Sequence, residues 1–111
     1  IFEKENTAKI IGTVSFGNIL PEPYLSCNIG YKISSLHSRK GYCTEAVTAA
    51  MTAAYSYLNI HRINAFVQEG NLASIRVLEK CGFLLEGKCI KNIRVNNQWT
   101  DHLLYANISP L

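Results

Sequence analysis

The first half of the chain has the pattern of hydrophobic and polar positions that is typical of β-strands. Residues 9–16 (KIIGTVSF) and residues 26–33 (SCNIGYKI) are rich in β-branched and aromatic side chains, and the PEP segment at 21–23 separates them. Two consecutive strands are therefore predicted here. Gly30 lies inside the second strand, which indicates either a β-bulge or a place where another molecule approaches the backbone closely.

A helical period follows these strands. Apolar side chains recur every three or four positions, which predicts a helix that ends near Asn59, and Glu45 suits the positive end of its dipole. Ser38 or Thr44 is expected to supply the capping oxygen. The apolar stripe consists of Ala46, Val47, Ala50, Met51, Ala54, Tyr55 and Leu58.

The pattern then returns to a strand and a second helix. Residues 62–68 (RINAFVQ) have strand character, and Asn71 is a good N-cap for the helix that follows. Gly82 fits the position just past the end of that helix. The apolar residues of the helix are Ile75, Leu78 and Cys81.

A closing β-hairpin is predicted at the end of the chain. Residues 83–95 and 99–108 flank the turn sequence NNQ, with Trp99 expected to pack on the sheet and Tyr105 in the core. The order ββαβαββ predicts an α/β or α+β fold with a mixed sheet. A length of 111 residues suits one domain, so residues 1–111 are interpreted as a single domain.

Composition and charge narrow the classes of function. The chain is 48% hydrophobic and 17% charged, with a net charge of +3, which is not the dense basic surface of a nucleic-acid-binding protein. It contains no signal peptide and no apolar run of membrane-spanning length. We therefore expect a cytoplasmic protein with neither nucleic acid nor a membrane as partner.

The cysteines and histidines do not form metal-site patterns. No two of the four cysteines are at C-x-x-C spacing, which argues against a zinc ribbon or a catalytic dithiol, and we expect reduced thiols. His37, His61 and His102 are not at metal-ligand spacing and are expected at the surface or in turns. No metal is therefore expected.

The sequence SRKGYCTEA (38–46) has the residues of an anion site at the start of the first helix. A helix N-terminus presents backbone N–H groups and a partial positive charge, and Gly41 lets the backbone approach a ligand. Cys43 at this position is expected to have a lowered pKa. A plain strand-to-helix turn with two solvated cations explains the same residues. The segment contains neither a Walker loop nor a dinucleotide fingerprint.

Several ordered segments together resemble a known family. SRKGYCTEAVTAAMTAAY, LNIHRINAFVQEGNLASIRVLEKCGFLLEGK and WTDHLLYA, with the preceding IIGTVSF and NIGYKI, are similar to the GNAT superfamily of acetyl-CoA-dependent N-acetyltransferases, and most of all to its RimJ/RimL-like branch. The resemblance covers nearly the whole chain. It implies a mainly antiparallel, twisted sheet flanked by helices.

The resemblance also implies where acetyl-CoA binds. The family's phosphate-loop pattern Q/R-x-x-G-x-G/A aligns with residues 38–43, where Gly41 matches, Ser38 replaces Gln or Arg, and Cys43 replaces Gly or Ala. Backbone amides of this loop would bind the pyrophosphate, and the NIGYKI strand would pair with the pantetheine arm near Asn71. The implied cofactor-binding residues are Ile29, Gly30, Tyr31, Arg39, Lys40, Gly41, Tyr42, Cys43, Thr44 and Asn71.

By the same resemblance, Ser74 is the catalytic residue. It matches the serine that protonates the leaving thiolate in RimL-like members, and it lies near Asn71 on the first turn of the second helix. A plain first-turn serine is the alternative interpretation. Arg94 stands where some relatives carry a glutamate base, so the general base has no assigned residue.

The function implied is transfer of an acetyl group from acetyl-CoA to a primary amine. The acceptor would be a protein N-terminal α-amine, as on a ribosomal protein, or alternatively a small amine such as a polyamine, an amino acid or an antibiotic. A coenzyme-A-binding module without turnover and a purely structural fragment are further alternatives. Binding of acetyl-CoA and release of thiol separate these hypotheses.

Family members begin with a strand and two helices that have no counterpart before IIGTVSF, so the chain is interpreted as N-terminally truncated. In relatives that segment lines much of the acceptor site. Its absence is expected to leave apolar surface uncovered, so that the chain either forms a homodimer or needs the segment.

Overall fold

In a computed structural model, the described residues are 2–3, 6–10, 12–33 and 41–110, and they form β-strands and two α-helices. In chain order, the elements are β1 (Phe2–Glu3), β2 (Asn6–Ile10), β3 (Gly12–Leu20), β4 (Ser26–Ile33), α1 (Tyr42–Tyr57), β5 (Arg62–Val67), α2 (Leu72–Lys80), β6 (Leu84–Val95) and β7 (Gln98–Ile108).

A five-stranded sheet is the centre of the fold, and both helices pack against it. Five strands follow the order β3-β4-β5-β7-β6, in which β4 and β5 are parallel and every other pair is antiparallel. The helix α1 contacts β3, β4 and α2, and α2 contacts β5. The predicted fold class, a mixed and mainly antiparallel sheet flanked by helices, is confirmed.

Most predicted elements have the expected position, and the first strand differs most. Residues 26–33 form β4 as predicted, whereas the predicted strand 9–16 is divided between β2 and β3. β3 continues to Leu20 because it pairs with β4 across a hairpin, ending at the pair Leu20↔Ser26. The partner strand stabilises residues that the local pattern did not favour as a strand.

The core lies between α1, α2 and the sheet. In β5 every second residue is buried, as expected for a strand with one face on the core, and α1 contributes one buried stripe. Leu58, predicted in that stripe, is 53% exposed because the helix ends before it. The buried hydrophobic residues include Cys27, Ile29, Cys43, Val47, Met51, Ala54, Tyr55, Ile63, Val67, Leu78, Phe83 and Tyr105.

The two helices begin in different ways. Asn71 caps α2 as predicted, since its Oδ1 accepts from the Ser74 amide at 3.2 Å. The N-cap of α1 is Gly41, with φ 77° and no side-chain cap, so the predicted Thr44 cap is wrong. Thr44 lies inside the first turn because the left-handed glycine already directs the chain into the helix. Ser38 lies outside the described residues.

The C-terminal end of α1 is held against the last strand. The Tyr55 hydroxyl lies 3.1 Å from the Asn107 carbonyl oxygen and 2.5 Å from its Oδ1, and Asn107 Nδ2 donates to the Gly82 carbonyl at 3.0 Å. Gly82 has φ 84°, as expected for the residue after a helix. These contacts connect α1, α2 and β7.

The two aromatic residues of the hairpin for which packing was predicted differ in exposure. Tyr105 is buried as predicted, but Trp99 is 61% exposed, so its predicted packing on the sheet is wrong. Trp99 pairs with Arg94 beside the Asn96–Asn97 turn, at the end of the hairpin. Within the described ranges, neither helix is long and apolar enough to cross a membrane.

Candidate functional site

The sheet opens between its two parallel strands. β4 and β5 pair only over Ser26–Asn28 and Arg62–Asn64, and beyond these residues β4 pairs with β3 and β5 with β7. The edge of β4 from Ile29 to Tyr31 therefore faces a cavity of about 290 Å³ instead of a neighbouring strand. Backbone amides and carbonyls on such an edge can pair with an extended ligand.

Gly30 lies on this open edge. It pairs in register with Ser15, and the register shift of β3 and β4 falls between Gly17 and Leu20, so the alternative of a bulge at Gly30 is wrong. A Cβ added at Gly30 would meet only Ser15 Oγ, at an ordinary 3.6 Å. The surrounding side chains therefore leave room for a larger residue at position 30. Close approach of a ligand to the Gly30 backbone stays a prediction.

Two hydroxyl groups meet across the cavity. Tyr31 on β4 has its Oη 2.7 Å from Ser74 Oγ and 3.1 Å from the Ser74 carbonyl oxygen. Burial raises the pKa of the Tyr31 phenol to about 12, so it remains protonated at neutral pH. Tyr31 and Ser74 both line the cavity, and so does Asn71. The sequence did not indicate that β4 would supply a partner for Ser74.

The single phenol proton decides which way the Ser74 hydroxyl points. If Tyr31 donates to Ser74 Oγ, the Ser74 proton is available to a group in the cavity. If Tyr31 donates to the carbonyl oxygen, Ser74 donates back to the phenol oxygen. The pair can therefore present a hydroxyl donor to an anion that forms between β4 and α2.

His102 lies in the wall of the same cavity. It is 7% exposed on β7, so the prediction of a surface or turn histidine is wrong. Its Nδ1 lies 3.2 Å from the Thr100 carbonyl oxygen. By strand parity His102 shares a face of β7 with the apolar residues Leu104 and Ala106, opposite to Tyr105 of the core, and this second apolar face was the signal in the sequence.

A second cavity, of about 680 Å³, lies between the start of α1 and α2. Gly41, Cys43 and Thr44 line one side, and Arg76 and Lys80 on α2 line the other. The two cations are four residues apart, and so share a helix face. Among the described residues that line this cavity none carries a carboxylate, so it suits an anion.

Sequence reasoning missed the cations of α2. Arg76 and Lys80 are one helical turn apart in the sequence, which was the available signal. The predicted phosphate-binding residues Arg39 and Lys40 lie outside the described residues. The ion pairs in the described part of the chain, which do not include Arg76 or Lys80, are Arg62–Glu86, Lys88–Glu69 and Lys88–Asp101.

Cys43 is a buried wall residue. Burial raises the pKa of its thiol, and the neighbouring Cys81 thiol adds to the shift. The prediction of a lowered pKa at the helix N-terminus is wrong, because the loss of water around the sulfur outweighs the helix dipole. Tyr42 begins α1 beside it, half-buried. Cys43 therefore contributes a small neutral surface.

Other candidates do not reach these cavities. Arg94 is exposed on β6 and is not among the residues that line either cavity, so it provides no base there. In the described part of the chain no three His, Cys, Asp or Glu side chains are grouped as metal ligands.

Comparison with known proteins decides the family. A model described as an acetyltransferase (GNAT) domain matches residues 1–84. This chain belongs to the GNAT acetyltransferase family. A curated relative, Probable N-acetyltransferase YjcK of Bacillus subtilis, is 42% identical over 102 residues, which are 92% of this chain and 56% of the relative. The chain spans about half the length of the curated relatives it matches.

Solved structures agree with this GNAT assignment. Ribosomal-protein-S5-alanine acetyltransferase from Vibrio fischeri superposes with a TM-score of 0.90 at 36% identity, covering 96% of this chain and 58% of that one. Mycobacterium smegmatis RimJ in complex with CoA-disulfide gives 0.87 at 31% identity, covering 91% and 48%. The resemblance to the RimJ/RimL-like branch of the GNAT family is confirmed.

Proposed function

We propose that this GNAT protein transfers an acetyl group from acetyl-CoA to a primary amine. The observation that carries the proposal is the opening between β4 and β5, where a free strand edge, the Ser74 hydroxyl and a cavity are combined. The named relatives are N-acetyltransferases, and one solved neighbour holds a CoA derivative. Acetyl-CoA is the co-substrate in this proposal, and no metal takes part.

The proposed position of acetyl-CoA follows the two cavities. The pyrophosphate binds the loop and first turn of α1, with Arg76 and Lys80 facing the phosphates from α2. The pantetheine arm pairs with the β4 edge, and Asn71 contacts it from the start of α2. The residues proposed to hold the cofactor are Ile29, Gly30, Tyr31, Arg39, Lys40, Gly41, Tyr42, Cys43, Thr44 and Asn71.

The proposed reaction is direct transfer. The amine nitrogen attacks the thioester carbonyl carbon, the N–C bond forms, and the C–S bond breaks to release the thiolate. Ser74 donates its hydroxyl proton towards the departing sulfur, held in place by Tyr31. A thiolate is a good leaving group near neutral pH, so a hydrogen bond from Ser74 gives a modest benefit.

A protein N-terminal α-amine, as on a ribosomal protein, is the favoured acceptor. The described residues that line the cavity at Ser74 include no carboxylate, whereas a polycationic amine is normally recognised through acidic groups. An α-amine also has a pKa of about 8, so a useful fraction is neutral at pH 7. The V. fischeri neighbour is named for a protein alanine acceptor. A small amine is the alternative.

The setting of the protein follows from this proposal. Protein N-termini and acetyl-CoA meet in the cytoplasm, where we propose that the protein acts. Its organisation as a single domain over residues 1–111 and its assembly into a homodimer stay predictions.

Calorimetry with acetyl-CoA, followed by thiol release with an amine panel, tests the proposed function. The panel contains a peptide with an N-terminal alanine, spermidine and a free amino acid. Binding with thiol release that depends on the peptide is the expected result. Binding without release from any amine would favour a non-catalytic coenzyme-A-binding module, and no binding would contradict the proposal.

Reversal of a charge on α2 should weaken cofactor binding. Lys80→Glu replaces attraction to a phosphate by repulsion, which at about 4 Å in water amounts to about 1–2 kcal/mol, or about tenfold in the dissociation constant. The effect should shrink as salt is added. Arg94→Glu is the matched control, because it changes the net charge equally at an exposed site outside both cavities. Equal effects of the two variants on acetyl-CoA affinity would remove Lys80 from the site.

A further inference from the structure

The proton of the attacking amine has no assigned acceptor in the proposed reaction. The polar side chains that line the cavity at Ser74 belong to Tyr31, Gln68, Asn71, Ser74 and His102. Amide side chains of Gln68 and Asn71 do not take up protons in water, and the hydroxyls are weak acids that donate. Burial keeps Tyr31 protonated at neutral pH, with a pKa of about 12. Imidazole is the side chain in this set that exchanges a proton near neutrality.

The hydrogen bond of His102 fixes which ring nitrogen can act. Its Nδ1 lies 3.2 Å from the Thr100 carbonyl oxygen, and a carbonyl oxygen only accepts, so Nδ1 carries the hydrogen. In the neutral ring the lone pair is then on Nε2. An imidazole anchored at Nδ1 and basic at Nε2 is the arrangement that a general base requires.

Among the described residues that line the cavity, no side chain competes with His102 as a base. Tyr31 on β4 and Ser74 on α2 line the same cavity as hydrogen-bond donors. Asp101, which precedes His102 on β7, points to the other face of the strand and accepts from the Lys91 amide at 2.7 Å. Cys89 on β6 is the register partner of His102. Lys88 lies next to Cys89, and its Nζ is 3.8 Å from Asp101 Oδ2 and forms an ion pair with Glu69.

We propose that His102 is a catalytic residue that removes the proton of the acceptor amine. This inference rests on the proposed acetyl transfer. As the N–C bond forms, the amine proton passes to His102 Nε2, directly or through one water, and the C–S bond electrons leave with the thiolate beside Ser74. The imidazolium then returns its proton to solvent, so no other reactant is consumed. Ser74 on α2 and His102 on β7 border the same cavity from different elements, so each can act on a different group of the reacting centre.

The test compares His102→Gln with His61→Gln. The His61 side chain is exposed and lies at a different cavity, so its variant should match the unaltered protein. For His102→Gln we expect kcat/KM at pH 7 to fall by about 10²-fold while the acetyl-CoA dissociation constant stays nearly unchanged. The acceptor is the faster of an alanine-initiated peptide and spermidine.

The dependence on pH separates chemistry from structure. A general base acts only when it is neutral, and so does the amine, so at pH values well below the ionisation of both groups log kcat/KM of the unaltered protein should rise with a slope of about two per pH unit. Without the imidazole the slope should be about one. A merely structural loss lowers the rate by the same factor at every pH and leaves the slope unchanged, and that result would overturn the assignment.

A second variant tests the assignment if His102→Gln loses all activity. His102→Ala leaves a space in the wall of the cavity at Ser74, and added imidazole should restore part of the rate. Added pyrrole, which has the same shape without the basic nitrogen, should not. Failure of imidazole to restore any rate would overturn the assignment. Absence of transfer by the unaltered protein would instead overturn the proposed function together with this inference.

Discussion

Gly41→Asp is expected to weaken acetyl-CoA binding by about 10²-fold. Gly41 is the N-cap of α1, and a Cβ built on it meets nothing within 4 Å, so a new side chain extends into the space at the helix start. A carboxylate there would oppose the phosphates and cancel the positive end of the helix. Repulsion from two phosphate charges amounts to about 2–3 kcal/mol, which is about 10²-fold in affinity.

Gly41→Asn is the matched control for the backbone. Gly41 has φ 77°, a region that Asn and Asp enter more readily than other side chains, so both variants carry a similar conformational cost. Asn has the size of Asp without its charge. Calorimetry should show a much smaller loss of affinity for Gly41→Asn. Equal losses in both variants would mean that backbone strain, and not phosphate repulsion, explains the effect.

Ser74→Ala is expected to lower kcat by about 10–100-fold and to leave the acetyl-CoA dissociation constant nearly unchanged. The reason is that Ser74 Oγ is the hydroxyl that the Tyr31 phenol holds at the cavity, while the thiolate departs readily without full protonation. The start of α2 should survive, because Asn71 accepts from the backbone amide of residue 74 and not from its side chain.

Tyr31→Phe accompanies this experiment as a control. It removes the phenol that orients Ser74 but keeps the ring that packs against the core. We expect a smaller fall in kcat than for Ser74→Ala, because the serine hydroxyl remains and only its orientation is lost. An unchanged kcat in Ser74→Ala, with full binding of acetyl-CoA, would remove Ser74 from the mechanism.

Local signals predicted the elements well. The strand residues of β4, the N-cap Asn71 and the left-handed Gly82 all depend on near neighbours along the chain, which a sequence displays directly. The start of α1 was harder, because Gly41 replaced the expected side-chain cap. The extension of β3 to Leu20 depended on pairing with β4, which lies outside any local window.

The site depended on contacts between distant residues. Tyr31 and Ser74 are 43 positions apart and meet only because β4 and β5 separate beside α2. His102 joins them through the register of β7, and Arg76 and Lys80 face the start of α1 through helix packing. The sequence showed that Cys43 lies at the start of α1, which predicted a lowered pKa, but burial raises the pKa of its thiol.

The central claim is that acetyl-CoA binds along the β4 edge with its phosphates at the start of α1, and amide NMR spectra during an acetyl-CoA titration test it most directly. We predict that the largest chemical-shift changes fall on the amides of Ile29–Tyr31 and of residues 41–44, with smaller changes near Arg76 and Lys80. Binding that leaves these amides unchanged and instead shifts residues around the cavity at Leu25, Asn59 and His61 would contradict the claim.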